Sequence, residues 1–229
     1  MKIIGLVGGT SWVSTIDYYR AINEGINKQL GGNEAAECII YSVNYGDIVR
    51  NNSKGDLEAT FGIMLNASTH LKNSGAKAII LCANTMHMFA DRISEKVNLP
   101  VIHTAEACAN EIKKKGLKKV ALLGTKFTME MNFFKDKLKA HHIETIIPDD
   151  TDRAFIHQTI FDELGKNIVK AETKAKYLAI IDRLVALGAE GVILGCTEIP
   201  LLLKQSDSKY PLFDTAIIHS NAAVEFMLS

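Results

Sequence analysis

The chain of 229 residues carries 26 basic and 26 acidic side chains, so its formal net charge is zero. This balance gives no electrostatic reason to expect nucleic acid or an anionic membrane as a partner. The length allows one large α/β domain or two small ones, and it is ample to bury a hydrophobic core.

Four cysteines lie far apart in the sequence without a CxxC pair, at Cys38, Cys82, Cys108 and Cys196. This spacing favours free thiols in a reducing cytoplasm over a disulfide framework. The N-terminus enters a strand directly, without the apolar core of a signal peptide, and no apolar run approaches the ~20 residues of a membrane helix. The histidines are scattered and predict no metal site. We therefore expect a soluble cytoplasmic protein with no membrane partner.

Strands and helices are predicted to alternate along the whole chain. The first half predicts strands at 2–7, 38–44, 78–82 and 99–103, helices at 12–30, 56–73, from 84 and at 105–115, and a polar loop at 51–55. The second half predicts strands at 120–123, 143–147, 192–194 and 210–215, with helices at 129–140, 151–164, 172–187 and at the C-terminus. This alternation is typical of βαβ units and of largely parallel sheets.

The two halves also repeat each other in sequence. The matching segments are 80–85 with 193–198, 6–10 with 122–125, and 100–105 with 211–216. Three matches in the same order indicate an internal duplication. We predict two pseudo-symmetric α/β domains with mainly parallel sheets, comprising residues 1–103 plus 215–229 and residues 104–214. Strand ends from both domains are expected to line one interdomain cleft, where small-molecule sites are commonly found.

The stretch from Gly191 to Pro200 predicts a buried strand that breaks at Gly195 and presents Cys196. Ligands in open α/β sheets bind beyond the carboxyl ends of such strands. We expect a helix to start near Thr197, so that its free N–H groups and its dipole stabilise the Cys196 thiolate, the reactive base. Simple packing of Cys196 is an equally good interpretation, because free cysteine is among the most buried residue types.

Four motifs together resemble those of the aspartate/glutamate racemase family: Gly8-Gly-Thr-Ser-Trp-Val-Ser-Thr15, Ala83-Asn-Thr-Met-His87, Leu123-Gly-Thr125 with Thr128-Met129, and Gly195-Cys-Thr-Glu198. The resemblance spans nearly the whole chain. It implies an amino-acid substrate, proton transfer by cysteine without pyridoxal phosphate or another cofactor, an active site between two α/β domains, and a homodimer.

The chain departs from the family pattern at Ala83, where the family has the cysteine of its first domain. The internal repeat likewise pairs Ala83 with Cys196. Cys82 is one residue earlier, and strand alternation should point it away from the cleft, although a twist at the strand end keeps it a possible second acid/base. Thr85 or water is the other candidate. The resemblance then implies a bias towards L-amino acids, as in the L-specific branch of the family.

The predicted substrate-binding residues are Gly9, Thr10, Ser11, Arg50, Ala83, Asn84, Thr85, Thr125, Thr128, Lys166, Thr197 and Glu198. Polar groups at helix starts, at 84, 85 and 197, can bind the α-carboxylate. Thr10 and Ser11 could bind the amino group, and the glycines at 8 and 9 would let the backbone approach the substrate. Thr125 and Thr128 could add hydroxyl donors.

Charged side chains offer further roles. Arg50 or Lys166 could hold a side-chain carboxylate, but each is also explained as a solvated surface charge. Glu198 could tune the Cys196 thiol, hold the substrate amine, or cap its own helix. The sequence therefore predicts a racemase acting on L-aspartate and/or L-glutamate through Cys196. The alternatives are a single-cysteine isomerase or decarboxylase of the same superfamily, and a catalytically silent dicarboxylate-binding protein, which Ala83 suggests directly.

Overall fold

The computed structural model describes all residues from 1 to 229 and divides them into two compact units. Unit 1 comprises Met1–His103 and His219–Ser229, and unit 2 comprises Thr104–Ile218. The chain passes from unit 1 to unit 2 after His103. It returns to unit 1 inside the C-terminal helix, after Ile218, because the first turn of that helix packs with unit 2.

Unit 1 is built on a parallel three-stranded sheet in the order β2-β1-β3. Its strands are β1 (Ile4–Gly8), β2 (Cys38–Ser42) and β3 (Ala78–Leu81), and its helices are α1 (Trp12–Leu30), α2 (Tyr45–Ser53), α3 (Leu57–Asn73) and α4 (Ala90–Val97). A 3₁₀ helix over Asn84–Phe89 joins β3 to α4. All residues of β1 and β3 are buried, as expected for parallel strands covered on both faces.

Unit 2 is built on a parallel four-stranded sheet in the order β5-β4-β6-β7. Its strands are β4 (Lys119–Gly124), β5 (Glu144–Ile146), β6 (Val192–Gly195) and β7 (Leu212–Asp214). Its helices are α5 (Thr104–Lys114), α6 (Lys126–Glu130), α7 (Asn132–Ala140), α8 (Asp150–Asp162), α9 (Ala171–Ala186) and α10 (Ile199–Leu202), followed by α11 (Thr215–Leu228), which continues into unit 1.

The sequence repeat is reproduced in the pairing register of the two sheets. Val7 pairs with Leu81 in unit 1, and Leu123 pairs with Leu194 in unit 2. These are the residues that the sequence alignment of the two halves equates. The match extends to the next strand of each sheet. Ile79 bridges to Val101 in unit 1, and the equivalent pair in unit 2 is Val192 with Leu212. The duplication is therefore structural, down to the register of individual residues.

Three predicted elements differ in the structure. The strand at 99–103 is reduced to the single bridge at Val101, because Pro100 has no N–H to donate to the sheet. The polar stretch at 51–55 is largely the end of α2, whose first turn is capped by the Asn44 side chain accepting from the Gly46 N–H. The helix predicted at 129–140 is two helices, broken where Met131 is extended.

The sheet of unit 2 has a hydrophobic core on each face. Leu123 and Leu194 belong to one buried cluster, and their neighbours Leu122 and Ile193 belong to the other. This is the alternation that a strand imposes on successive side chains. No helix of the chain is both long and apolar enough to cross a membrane.

Candidate active site

Cys196 follows β6 directly, at the carboxyl end of the unit 2 sheet. The preceding Gly195 pairs with Gly124 on β4, and a Cβ added at Gly195 would lie 2.6 Å from the Leu123 carbonyl oxygen. The Thr215 hydroxyl donates to the Leu194 carbonyl at 2.9 Å and ties α11 to the same strand end. Close packing around these residues therefore fixes the backbone that carries the thiol.

The Cys196 thiol is hydrogen-bonded to a carboxylate. Its Sγ donates to Glu198 Oε2 at 2.9 Å, and the Thr197 hydroxyl donates to the same oxygen at 2.7 Å. Cys196 is 8% exposed, whereas Cys82 and Cys108 are 0% exposed. Of these three buried cysteines, Cys196 is the residue with a measurable exposed fraction.

The expected stabilisation of the thiolate is wrong in its net direction. Burial raises the pKa of the Cys196 thiol well above its ordinary value, and the Glu198 carboxylate raises it further. The backbone N–H groups of Glu198 and Thr197 lower the pKa, as predicted, but burial and the carboxylate outweigh them. The expected helix dipole is also weak here, because α10 begins at Ile199 and is a single turn.

The threonines after β4 have mainly structural contacts. Thr125 caps α6 by accepting from the Thr128 N–H at 3.3 Å, and the two hydroxyls lie 3.2 Å apart. Thr128 is completely buried, and it lies where a Cβ on Gly124 or Gly195 would meet it. We therefore interpret Thr128 as a support for the two strand ends and Thr125 as the N-cap of α6.

The two glycines at the end of β1, Gly8 and Gly9, are explained by packing within unit 1. A Cβ on Gly8 would lie 2.4 Å from Thr15 Cγ2, and one on Gly9 would lie 2.1 Å from the Val43 carbonyl oxygen. Gly9 also has a φ of 86°, which disfavours any side chain. Close approach of the substrate is therefore not needed to explain these glycines, because the neighbouring helix and loop already occupy that space.

The turn between β1 and α1 is held by two residues that the sequence analysis did not single out. The Gly9 N–H donates to the Thr15 hydroxyl at 3.0 Å. The Ser14 hydroxyl donates to the carbonyl oxygens of Ser11 at 2.9 Å and Cys82 at 3.0 Å, and so joins the ends of β1 and β3. The predicted site residues on these two strands are thereby brought together within unit 1.

Thr10 and Ser11 differ in what their hydroxyls do. Ser11 is the N-cap of α1 and accepts from the Ser14 N–H. The Thr10 hydroxyl is buried, with the residue 6% exposed, and it forms no hydrogen bond within the protein. A buried polar group without a partner is costly, so the Thr10 hydroxyl is a strong candidate to bind a ligand.

The end of β3 presents Ala83, Asn84 and Thr85 in the first turn of the 3₁₀ helix. Asn84 is buried, whereas Ala83 and Thr85 are partly exposed. Cys82 is fully buried, and burial raises the pKa of its thiol far above the ordinary value. Such a thiol is a poor acid/base group.

Both predicted cations lie on the protein surface. Arg50, on α2, forms an ion pair with Asp47 of the same helix, and its side chain is 63% exposed. Lys166, in a short 3₁₀ turn after α8, is 62% exposed and lies 3.9 Å from Asp162. Burial holds neither side chain in a fixed position. Arg50 would have to leave Asp47 before it could bind a substrate carboxylate.

A cluster of buried histidines packs inside unit 1, contributed by residues far apart in sequence. The ring centroids of His87 and His103 lie 4.7 Å apart, and those of His87 and His219 lie 5.0 Å apart. His219 Nε2 contacts the Ile102 carbonyl at 2.7 Å, and its Nδ1 lies 2.9 Å from the Tyr18 hydroxyl. No group of three or more His, Cys, Asp or Glu residues is arranged to hold a metal ion.

Comparison with known proteins assigns these strand-end motifs to a family. A model of the family described as Asp/Glu/Hydantoin racemase matches residues 7–223, nearly the whole chain. The chain belongs to the Asp/Glu/hydantoin racemase family. The match includes every motif on which the resemblance was based, so the chain is a racemase-family enzyme.

Solved and curated relatives agree with this assignment. The structure of a candidate Asp/Glu racemase from Yersinia pestis is 44% identical, covers 100% of both chains and superposes with a TM-score of 0.95. An aspartate racemase homologue from Pyrococcus horikoshii is 36% identical over 100% of both chains, with a TM-score of 0.86. The broad-specificity amino-acid racemase RacX of Bacillus subtilis is 24% identical over 72% of this racemase-family chain and 71% of its own length.

Proposed function

We propose that this chain is an amino-acid racemase that acts on L-aspartate and/or L-glutamate without pyridoxal phosphate, with Cys196 as the base that removes the α-proton. The observation that carries the proposal is the Cys196 thiol, which lies at the carboxyl end of β6 in a residue that is 8% exposed and is hydrogen-bonded to Glu198. The family assignment supports the substrate class, and so do relatives that are named as an aspartate racemase homologue and as a glutamate racemase.

The reaction needs a base at the α-carbon and donors for the charge that develops. When the Cys196 thiolate takes the α-proton, the electron pair of the C–H bond passes to the α-carbon and its carboxylate. Preorganised donors at that carboxylate lower the barrier most, because they are already oriented when the charge appears. We propose that Asn84, Thr85 and Thr197, which lie just after β3 and β6, supply these donors.

Unit 1 supplies a second observation in favour of a polar ligand. The buried Thr10 hydroxyl without a protein partner suits the substrate amino group, to which its oxygen would be an acceptor. Ser11 and the backbone of Gly9 lie in the same turn. We therefore propose that Thr10 of unit 1 binds the amino group of the substrate.

With alanine at position 83, Cys196 is the one cysteine that we propose for proton transfer. Cys82 is fully buried, and the high pKa of its thiol supports the view that it packs rather than transfers protons. Proton delivery to the face opposite Cys196 then depends on water or on the partly exposed Thr85. We propose that L-amino acids are engaged by Cys196 and that D-amino acids are turned over poorly.

Assembly and compartment remain parts of the same proposal. All cysteines are free, which supports a reducing cytoplasm. We propose a homodimer, as the family resemblance implies, and sedimentation of the purified chain would test it. Arg50 is the proposed partner for the substrate side-chain carboxylate, with Lys166 as the less favoured candidate, since both are exposed.

Isotope exchange in D₂O tests the proposed reaction. The protein is incubated with L-aspartate or L-glutamate, deuterium at the α-carbon is followed by NMR, and D-product is measured by chiral chromatography. Deuterium incorporation accompanied by D-product supports the racemase. Exchange without D-product would favour a one-sided enzyme, release of carbon dioxide a decarboxylase, and binding without exchange a silent dicarboxylate-binding protein.

A further inference from the structure

We propose that Glu198 is the proton acceptor for the Cys196 thiol, so that the two side chains act as one acid/base pair. This role rests on the proposed function, in which Cys196 removes the α-proton. It answers a question that the proposed function leaves open, namely how a buried thiol becomes a thiolate at neutral pH.

The geometry places the acceptor on the thiol itself. The distance from Cys196 Sγ to Glu198 Oε2 is 2.9 Å, with the thiol as donor. Thr197 donates its hydroxyl to the same oxygen, which fixes the carboxylate beside the sulfur. No lysine or arginine forms an ion pair with Glu198, and its side chain makes no cap hydrogen bond to α10. The hydrogen bonds to Cys196 and Thr197 are therefore the contacts that hold this carboxylate.

Electrostatics alone would make Glu198 an obstacle. Burial and the negative charge of Glu198 both raise the pKa of the Cys196 thiol, so few thiolates would form by loss of a proton to solvent. A carboxylate in hydrogen-bond contact offers another route, because the proton moves between the two partners and the pair keeps its net charge. The thiolate then forms without adding charge to a buried site.

Proton transfer begins at the thiol and ends on Glu198. The S–H bond of Cys196 breaks, its electron pair stays on sulfur, and an O–H bond forms on Glu198. The thiolate then takes the α-proton of the L-amino acid, which leaves a neutral thiol, a neutral carboxylic acid and a carbanion. The carbanion is protonated either by Cys196, which returns the L-amino acid, or from the opposite face, which gives the D-amino acid. When water protonates the carbanion from the opposite face, the hydroxide that forms takes the proton of Glu198 and regenerates its carboxylate. When Cys196 returns its proton instead, the thiolate takes back the proton of Glu198. Exchange of the Glu198 proton with solvent before this return brings deuterium onto the sulfur.

The test is the pH dependence of α-proton exchange in Glu198→Gln. The amide keeps the size of the side chain but cannot accept the thiol proton. We expect exchange at neutral pH to fall about 10²-fold, within the range of general acid–base effects, and then to rise about tenfold per pH unit as hydroxide replaces the lost acceptor. The wild-type rate should be nearly independent of pH across the same range. Glu111→Gln, an exposed carboxylate paired with Lys114 on α5, is the matched control and should behave as wild type.

The thiol pKa provides a readout that does not depend on substrate. The Cys196 thiolate is titrated by its ultraviolet absorbance, with the absorbance of Cys196→Ser subtracted. The pKa of the thiol should be lower in Glu198→Gln than in the wild type, because the carboxylate charge that raises it has been removed. Slower exchange together with this lower pKa supports the proposal. Unchanged or faster exchange in Glu198→Gln would overturn it, and so would slower exchange that keeps the flat wild-type profile. Wild-type protein that titrates as expected but never exchanges the α-proton would overturn the proposed function, and this role with it.

Discussion

Protonation of His219 is expected to destabilise unit 1 at acidic pH. The imidazole is completely buried and is neutral in its contacts: Nε2–H donates to the Ile102 carbonyl, and Nδ1 accepts from the Tyr18 hydroxyl. The pKa of His219 is lowered from 6.5 to about 4, mainly by burial and to a smaller extent by the nearby His103, against a raising contribution from the Ile102 hydrogen bond. As the pH falls, the unfolded chain therefore binds a proton at His219 at a higher pH than the folded chain does.

The size of the effect follows from linkage. Because the folded-state pKa lies below the unfolded value, the stability is fully present above pH 6.5 and is lost as the pH falls from 6.5 towards 4. Each pH unit between the two pKa values is worth about 1.4 kcal/mol, so His219 alone should remove about 3 kcal/mol from the free energy of unfolding. Such a loss is a large fraction of the stability of an ordinary domain.

Urea unfolding at several pH values between 7 and 4 would measure this loss. His219→Gln retains an N–H donor but does not titrate, so the wild type should lose about 3 kcal/mol more than the variant over this range. The variant serves as its own control for other titrating groups, since only the difference between the two pH dependences is interpreted. Equal pH dependence in the two proteins would refute the buried, neutral state of His219.

Further predictions concern the strand ends. Gly195→Ala should destabilise the protein by about 1–3 kcal/mol, because its Cβ would overlap the Leu123 carbonyl oxygen. Gly62→Ala has open space around it in α3 and should instead stabilise the protein by about 0.5–1 kcal/mol. Equal effects of the two variants in thermal unfolding would argue against the close packing at the end of β6. Thr10→Val should lower kcat/KM about tenfold without loss of stability, whereas Thr145→Val, which removes a similarly unpartnered hydroxyl on β5, should leave it unchanged. Equal activity of these two variants would remove Thr10 from the site.

The sequence was sufficient to predict the duplicated architecture. Leu81 and Leu194 were equated from an ungapped match, and the sheets place them in equivalent register because parallel strands buried on both faces must repeat their apolar pattern. The position of Cys196 followed from the same pattern. Pro100 limited the fourth strand of unit 1, an effect that the presence of proline alone could have indicated.

Other features depended on side-chain geometry that the sequence does not specify. Glu198 had three possible roles in the sequence, and only the rotamers placed its carboxylate on the Cys196 sulfur. The net direction of the thiol pKa was missed because burial is a tertiary property. The packing of His87 against His219 was likewise invisible, since 131 intervening residues separate them and only the fold brings them together.

Replacing individual thiols by serine tests most directly whether the Cys196 sulfur removes the α-proton. With L-aspartate and L-glutamate in D₂O, Cys196→Ser should lose at least about 10²-fold in the rate of deuterium incorporation, because a serine hydroxyl is a far weaker acid/base group. Cys82→Ser, at a fully buried position after β3, should still incorporate deuterium. Wild-type exchange in Cys196→Ser, or its abolition only in Cys82→Ser, would contradict the account.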